Sequence, residues 1–500
     1  MLNHIARWAL VGGCATSLAL GCAGKKVRED FETRQDHTEQ LVKEKVDIAP
    51  ITEGPYHLAL RLGGPTIEAM VREAVAPKLA DVDMSSNAMG KDMGEQAEQF
   101  MEAIEMSRLS VGDIQVSFPS DTDGILRAKV RLQGRIGVRI GKIIELAKSN
   151  LAVDPDQKQM LMDILAEAQG GGGAALGGGG GKLGQIIAQF AASDELRWMN
   201  IEPEVVVRVF MGAEVVDNRP ALVMEMREVE SFSLNVDSPF QFAMVSSLVQ
   251  EVGRKRIASM LTDPAVNPEV RKVIPLPEGA SGDLPLKLLG IGLNVRPGDR
   301  GEIFMGIATN LNVQPGLSAT SEMAPLGDNA WALTIPEGTL GLLLRSMAKE
   351  GKLPLRFNRS QEVDPEGPIV VEPETISLNE GGFVMGTRIW NLKTPAFWRH
   401  FDIKGSFAVE NGQLTPRIDK IEGTDEGAGN LWASGIVEKK QESASEKTVS
   451  GAGKRTSPSL PLPMSGGKRV LQLDVANAVA NSGSLTIMGG VTVKDAPTDG

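Results

Sequence analysis

Cys22 closes the run Leu18-Ala19-Leu20-Gly21-Cys22 and is one of two thiols in the chain, the other being Cys14. Cys14 falls inside a leading apolar run, so no second cysteine is left to form a disulfide or a thiolate metal site with Cys22. Imidazoles are also sparse. Past Cys22 they occur at His37, His57 and His400, far apart in sequence, and surface or boundary positions are expected for them. Asp121-Thr122-Asp123-Gly124 has part of a calcium loop's spacing. It lacks an acidic residue two positions before Asp121, and Val130 stands where the closing Glu is needed, so a turn is expected. Gly453-Lys454-Arg455 carries Arg where a phosphate-binding loop needs Ser or Thr. Neither a GxSxG elbow nor an HExxH pair occurs. The expectation is a protein without catalysis, metal or cofactor.

What precedes Cys22 gives its thiol a use. Met1–Arg7 is short and carries Arg7, and Trp8–Leu20 is mostly apolar. That run is too short to span a bilayer, which takes about 20 residues. Followed by small residues and the thiol, it resembles the signal and lipobox of bacterial lipoproteins, with Ala19 where Leu is more usual. Val11-Gly12-Gly13-Cys14 is an alternative, with few apolar residues ahead of it. The resemblance implies that residues 1–21 are removed and that Cys22 receives a diacylglycerol. The expected partner is therefore a membrane, held through an acyl-modified cysteine, with a location in the cell envelope. Ala23 after the thiol resembles outer-membrane sorting; the periplasmic or surface side stays open. The net charge of -12 argues against nucleic acid, whose phosphates it would repel.

Two features could bind something. Arg127, Lys129, Arg131, Arg135 and Arg139 alternate with apolar residues and form a basic row, suited to anionic headgroups or simply to the wet face of a sheet. Aliphatic stripes at helical spacing are the second: Ile67, Met70 and Val71; Val245, Leu248 and Val252; and Leu340, Leu343, Leu344 and Met347. The chain holds 21 methionines, whose flexible thioethers suit either an adaptable apolar wall or ordinary core filling.

The elements that must position these residues are mostly strands. Residues 22–54 are charged and polar, with Lys25–Val46 reading as a solvated tether or a lone helix. From residue 55 the chain is globular, and its 500 residues, 42 % hydrophobic, can bury a large core. An N-terminal β-rich domain is expected over 55–270, with a helical insertion at 143–192 around the low-complexity Gly170–Gly181. A C-terminal one is expected over 271–500, with a disordered loop at 439–468. Leu126–Ile140 alternates with period two, as one long strand or a hairpin around Gly134. Further strands are read at Glu204–Val216, Ala221–Val229, Leu286–Val295, Glu302–Leu311, Gly382–Trp390, Phe401–Val409 and Leu431–Val437. Ser238-Pro239-Phe240-Gln241 marks a helix start, and Thr334-Ile335-Pro336-Glu337 is a variant of the same signal.

Two stretches look like copies. HLALRLGGPTIEAMVREAV from His57 and NAWALTIPEGTLGLLLRSMA from Asn329 align without gaps, so that Leu60 meets Leu333, Thr66 meets Thr339, Ile67 meets Leu340 and Arg72 meets Arg345. Each reads as a strand running into an amphipathic helix. With the long alternating strands and the capped helix after Ser238, this resembles the tubular lipid-binding superfamily that includes the bactericidal/permeability-increasing protein. The resemblance spans most of Pro55–Val493 in order of elements. It implies an α+β fold of two elongated halves of curved antiparallel sheet, each wrapped on a long amphipathic helix, with acyl chains held between. This chain departs from the eukaryotic two-barrel members in lacking the first-barrel disulfide and in carrying the 143–192 insertion. The implied function is non-catalytic binding or shuttling of a lipid or other hydrophobic ligand. The alternative is a structural or adhesion lipoprotein with packed cores and no ligand.

Overall fold

The aligned stretches fold alike. In a computed structural model, strand β1 (Leu58–Gly63) runs directly into helix α2 (Gly64–Ala80), and β10 (Trp331–Pro336) runs directly into α4 (Glu337–Lys349). Both strands begin and end at positions that the gapless alignment superposes. The structure describes residues 24–34, 54–80, 103–119, 124–139, 141–142, 145, 196–216, 219–236, 243–263, 270–275, 288–296, 301–318, 320–349, 355–360, 362–394, 396–428, 462–464 and 469–495. Among them the other helices are α1 (24–34) and α3 (Ala243–Thr262).

The remaining strands are β2 (Ile104–Met106), β3 (Ser110–Ser117), β4 (Ile125–Val138), β5 (Arg197–Val216), β6 (Arg219–Val236), β7 (Arg271–Pro275), β8 (Leu288–Arg296) and β9 (Glu302–Thr309) in the first half. The second half continues with β11 (Arg356–Phe357), β12 (Ile369–Asn379), β13 (Gly382–Asn391), β14 (Phe397–Glu410), β15 (Gln413–Ala428), β16 (Leu462–Met464), β17 (Arg469–Asn481) and β18 (Ser484–Asp495). They form three antiparallel sheets. A seven-stranded sheet runs β16-β17-β18-β10-β1-β9-β8, a six-stranded one runs β2-β4-β5-β6-β7 with β3 on β4, and a five-stranded meander runs β11 to β15. The first strand of each copy thus pairs with the last strand of its own half and with the first strand of the other.

β1 shows why its sequence, LALRLG, does not alternate: all six residues are buried. One face of the seven-stranded sheet carries Leu60, Leu62, Ile303 and Met305 into the main core. The other carries Ala59 and Phe304 against Tyr56 and Leu317, part of the strap that follows β9. His57 fastens that strap. Its Nδ1 accepts the Thr309 amide at 3.0 Å, so the proton sits on Nε2, which donates to the Val313 carbonyl at 3.1 Å. Arg61, buried on the strap side, donates to the Ala324 carbonyl and lies 3.6 Å from Glu302. Burial holds its pKa below the ordinary arginine value, with Glu302 opposing the shift.

The outer sheets are curled half-barrels with their dry faces turned inward. β4 is one strand rather than a hairpin, with Leu126, Ala128, Val130 and Leu132 fully buried on the core side. Slips in register bend the longest pair, β5 with β6, between Val206 and Val207 and between Arg208 and Val209.

Four features differ from the sequence reading. First, among the described residues the helices are short and no sheet wraps a long one: α2 has 17 residues, α3 has 20 and α4 has 13. Core space that a long helix would fill is taken by sheet packing, as where Leu378, Phe383 and Ile403 of the meander share a core with Leu473 and Val475 of β17. Second, strand pairs cross the expected boundary at 270/271. β7 pairs with β6, and β8 and β9 join β1, because strand pairing skips far along the chain. Third, residues 24–34, in the stretch read as a solvated tether or a lone helix, are helical and lie on the meander as α1, with Val27 and Phe31 buried against Val370, Trp390 and Ala396. Fourth, Leu462–Met464, within the stretch read as loop, pairs with β17. The Gly-rich 170–181 stretch, its flanking helical segments and Leu431–Val437 lie outside the described residues. Among those described, no helix is long and apolar enough to cross a membrane.

Candidate functional site

The two copies present the same stripe in different states. On α2, Ile67, Met70 and Val71 are wholly buried in the main core. On α4 the aligned Leu340, Leu343 and Leu344 are only partly buried, packed against the edge of that core. Ile376 of β12, also partly buried, packs against the same core, and a Cβ added at Gly341 would reach it at 3.3 Å. Glycine at that turn of the helix therefore lets α4 lie close to β12. The side chains of Val245, Leu248 and Val252 on α3, and of Met347 on α4, lie outside the described ones.

Polar contacts hold both helices at their sheets. Arg72 of α2 donates to the Gly112 carbonyl of β3 at 2.8 Å, and the aligned Arg345 of α4 donates to the Glu374 carbonyl of β12. Both acceptors sit where the ladder breaks register, between Val111 and Ile114 in one sheet and between Pro373 and Thr375 in the other. A bulge turns a carbonyl out of the ladder, and the arginine satisfies it. Burial holds the Arg345 pKa below its ordinary value, with Glu372 and Glu374 opposing the shift. The start of α4 is pinned further: the Glu337 amide donates to the Gly483 carbonyl at 2.9 Å, and its carboxylate accepts the Leu378 amide at 3.1 Å. Gly381 to Ala480 and Gly483 to Leu378 complete a knot joining the meander to the β17–β18 hairpin.

The basic row is largely neutralised within its own sheet. Arg127 reaches Glu230 at 2.8 Å, while Lys129 and Arg131 flank Glu204 at 2.8 and 3.9 Å. Arg135 lies 5.4 Å from the ring centre of Trp198, and Arg139 also has a partner. These acidic residues come from β5 and β6, so a row that looks purely basic on β4 becomes one rung of a mixed-charge face.

The densest polar cluster is one that sequence reasoning missed. The carboxylate of Glu374, at the β12 bulge, accepts from His400 Nδ1 at 2.9 Å, from Arg388 at 3.1 Å and from Arg34 of α1. Asp402 lies 3.3 Å from His400 Nε2, and Glu372 accepts Trp390 Nε1 at 2.8 Å. Arg388 stacks over Trp398 at 4.0 Å, and Phe31 meets Trp390 edge-on at 5.3 Å. Gly386 makes the crowding possible, since a Cβ there would lie 2.5 Å from Thr375 Oγ1 and 3.2 Å from the His400 ring. Chemically the cluster is a fastening. Glu372 and Glu374 are occupied by arginines, Asp402 faces His400, and the cluster closes over α1. The i, i+3/i+4 spacing of Val27, Phe31 and Arg34 was the available signal for it. Among the described residues no group of His, Cys, Asp and Glu is arranged to hold a metal ion.

The architecture defines a class: a duplicated, mostly antiparallel β protein whose halves share one sheet and each carry a short helix against an outer sheet. No protein-family model matches the chain, and no curated protein matches it. Among solved structures, it is similar to a lipopolysaccharide binding protein, at 9% identity and a TM-score of 0.36, over 87% of this chain and 99% of the other. It is also similar to P47 of Clostridium botulinum A2, at 10% identity and a TM-score of 0.33, over 87% of this chain and 97% of the other. P47 of Clostridium botulinum E1 matches at 9% identity and a TM-score of 0.32, over 88% and 100%.

Proposed function

We propose that this chain is a lipid-anchored protein of the bacterial cell envelope, in the outer membrane, that binds or shuttles a hydrophobic ligand without catalysis. Cys22 carries the acyl anchor, and the ligand lies along the half-open stripe Leu340, Leu343 and Leu344. One observation carries the binding part: the second copy of a duplicated helix leaves its leucines partly uncovered, while the first copy buries the aligned Ile67, Met70 and Val71 completely. An acyl chain laid there would bury apolar surface on both sides, at about 25 cal/mol per Å² removed from water. The His400 cluster supports a non-catalytic reading, because Glu374 is taken up by Arg34, Arg388 and His400 and serves to hold α1. The sealed first stripe favours a second reading, a structural or adhesion lipoprotein whose cores are simply filled.

Mass spectrometry of an organic extract from purified protein separates the two readings. A stoichiometric lipid in the parent, lost in Leu344→Trp, is the expected result; a clean extract from the parent leaves the structural reading. The anchor is tested by Cys22→Ser, which should abolish acyl labelling and release the body to the soluble fraction. Retention of that variant on membranes through detergent-free washes would sink the lipoprotein reading.

A further inference from the structure

The geometry points to a defined lipid-facing end of this protein: the end of the meander at 392–394 and Ala396, between β13 and β14, held against the bilayer surface by α1. The inference rests on Cys22 being acylated. Cys22 stands two residues before Gly24, so its Cα lies within about 7 Å of Gly24's, at 3.3–3.6 Å per extended residue. Gly24 is buried at that end, where a Cβ added to it would meet Ala396 Cβ at 3.5 Å. An acyl chain leaving Cys22 therefore enters the membrane next to that end.

α1 makes this placement rigid. It docks directly on the meander, through Val27 and Phe31 in an apolar seat and Arg34 against Glu372 and Glu374. Side chains at this end suit a bilayer surface. Lys25, Lys26, Lys393 and Arg359 are exposed there beside the carboxylates of Glu29, Glu362 and Glu366, with Lys25 3.4 Å from Glu29, and Arg359 donates to the Thr394 carbonyl at 2.9 Å. Leu392 and Trp398 are half-buried beside them. Basic residues with tryptophan are the composition that settles at lipid headgroups. The far end of the meander, at Glu380, is removed by the ten residues of β13, roughly 33 Å of strand.

Full-length acylated protein, reconstituted in vesicles of phosphatidylethanolamine and phosphatidylglycerol, tests this. Lys393→Cys and Glu380→Cys each receive one thiol-reactive fluorophore, since the Cys22 sulfur is blocked by its lipid, and headgroup-nitroxide lipid serves as quencher. Quenching at 393 at least threefold stronger than at 380 is expected. In a Phe31→Ala/Arg34→Ala background the protein should still float with vesicles, while quenching at 393 falls to the level seen at 380. Equal quenching at the two sites, in protein that floats, overturns the lipid-facing end and leaves the anchor intact. Unchanged quenching at 393 in the α1 variant overturns α1 as its cause. Protein that fails to float removes the anchor and this inference with it.

Discussion

Leu60 and Leu333 face each other across the β1–β10 pair, and they are also the residues superposed when the two copies are aligned. A residue and its own equivalent can be cross-strand partners only where a local two-fold axis passes between the strands. The flanking pairs obey the same axis: Ala59 with Thr334 and Arg61 with Ala332 exchange under it. Duplication is thus visible in the hydrogen-bond register as well as in the sequence. The axis also exposes where the halves have diverged.

Thr66 and Thr339 are one such place. Both are buried at the start of their helices, but Thr66 Oγ1 donates to the Ala330 carbonyl at 2.6 Å while the Thr339 hydroxyl has no partner. Thr66→Val should lower stability by about 1 kcal/mol, whereas Thr339→Val should be neutral or stabilising by a similar amount. Urea unfolding of the two variants decides it, and equal losses would mean that the symmetry is not broken there.

The arginine latches give a second test. Replacing Arg345 with Met frees the Glu374 carbonyl and removes a charge-assisted bond, for a loss of about 1.5–3 kcal/mol; Arg72→Met should lose a comparable amount from Gly112. If thermal melts of both variants overlay the parent, the latches are incidental.

The two stripes should respond oppositely to bulk. Val71→Trp overpacks a sealed core and should cost about 1–3 kcal/mol. Leu344→Trp, on the half-open stripe, should leave the melting temperature nearly unchanged while blocking uptake of a fluorescent fatty acid. Comparable destabilisation by both would show that the second stripe is as filled as the first.

Glu422 supplies a pH prediction. A hydrogen bond from Lys404 first, then one from Lys420, pulls its pKa down from the ordinary 4.5 to about 2. Because the folded value is the lower one, its contribution is present above the ordinary value and is lost as pH falls from 4.5 to about 2. Carboxyl NMR should find the midpoint near the lower figure, and Lys404→Met should return it toward the ordinary one. A parent midpoint already at the ordinary value would rule the pair out.

Local pattern carried much of this fold. The period-two run at 126–140 becomes β4, the two strand–helix copies appear at their aligned bounds, and Gly382–Trp390 lies within β13 almost end to end. Those features depend on backbone geometry over a few residues, which composition and spacing report directly. Strands such as β15 passed unnoticed because a bulge at Asp419 breaks the alternation, so that its core-facing Leu414, Ile418 and Ile421 are spaced four and three apart among charged residues. Tertiary structure alone decided that the copies pair with each other, that Glu204 and Glu230 meet Arg127, Lys129 and Arg131 of the basic row, that α1 finds Trp390 and Glu374, and that one leucine stripe is only partly buried. Each of these depends on which distant segment supplies the partner. A sequence read locally states what a residue needs, an acid or an apolar neighbour, while only the folded chain determines whether that need is met from within.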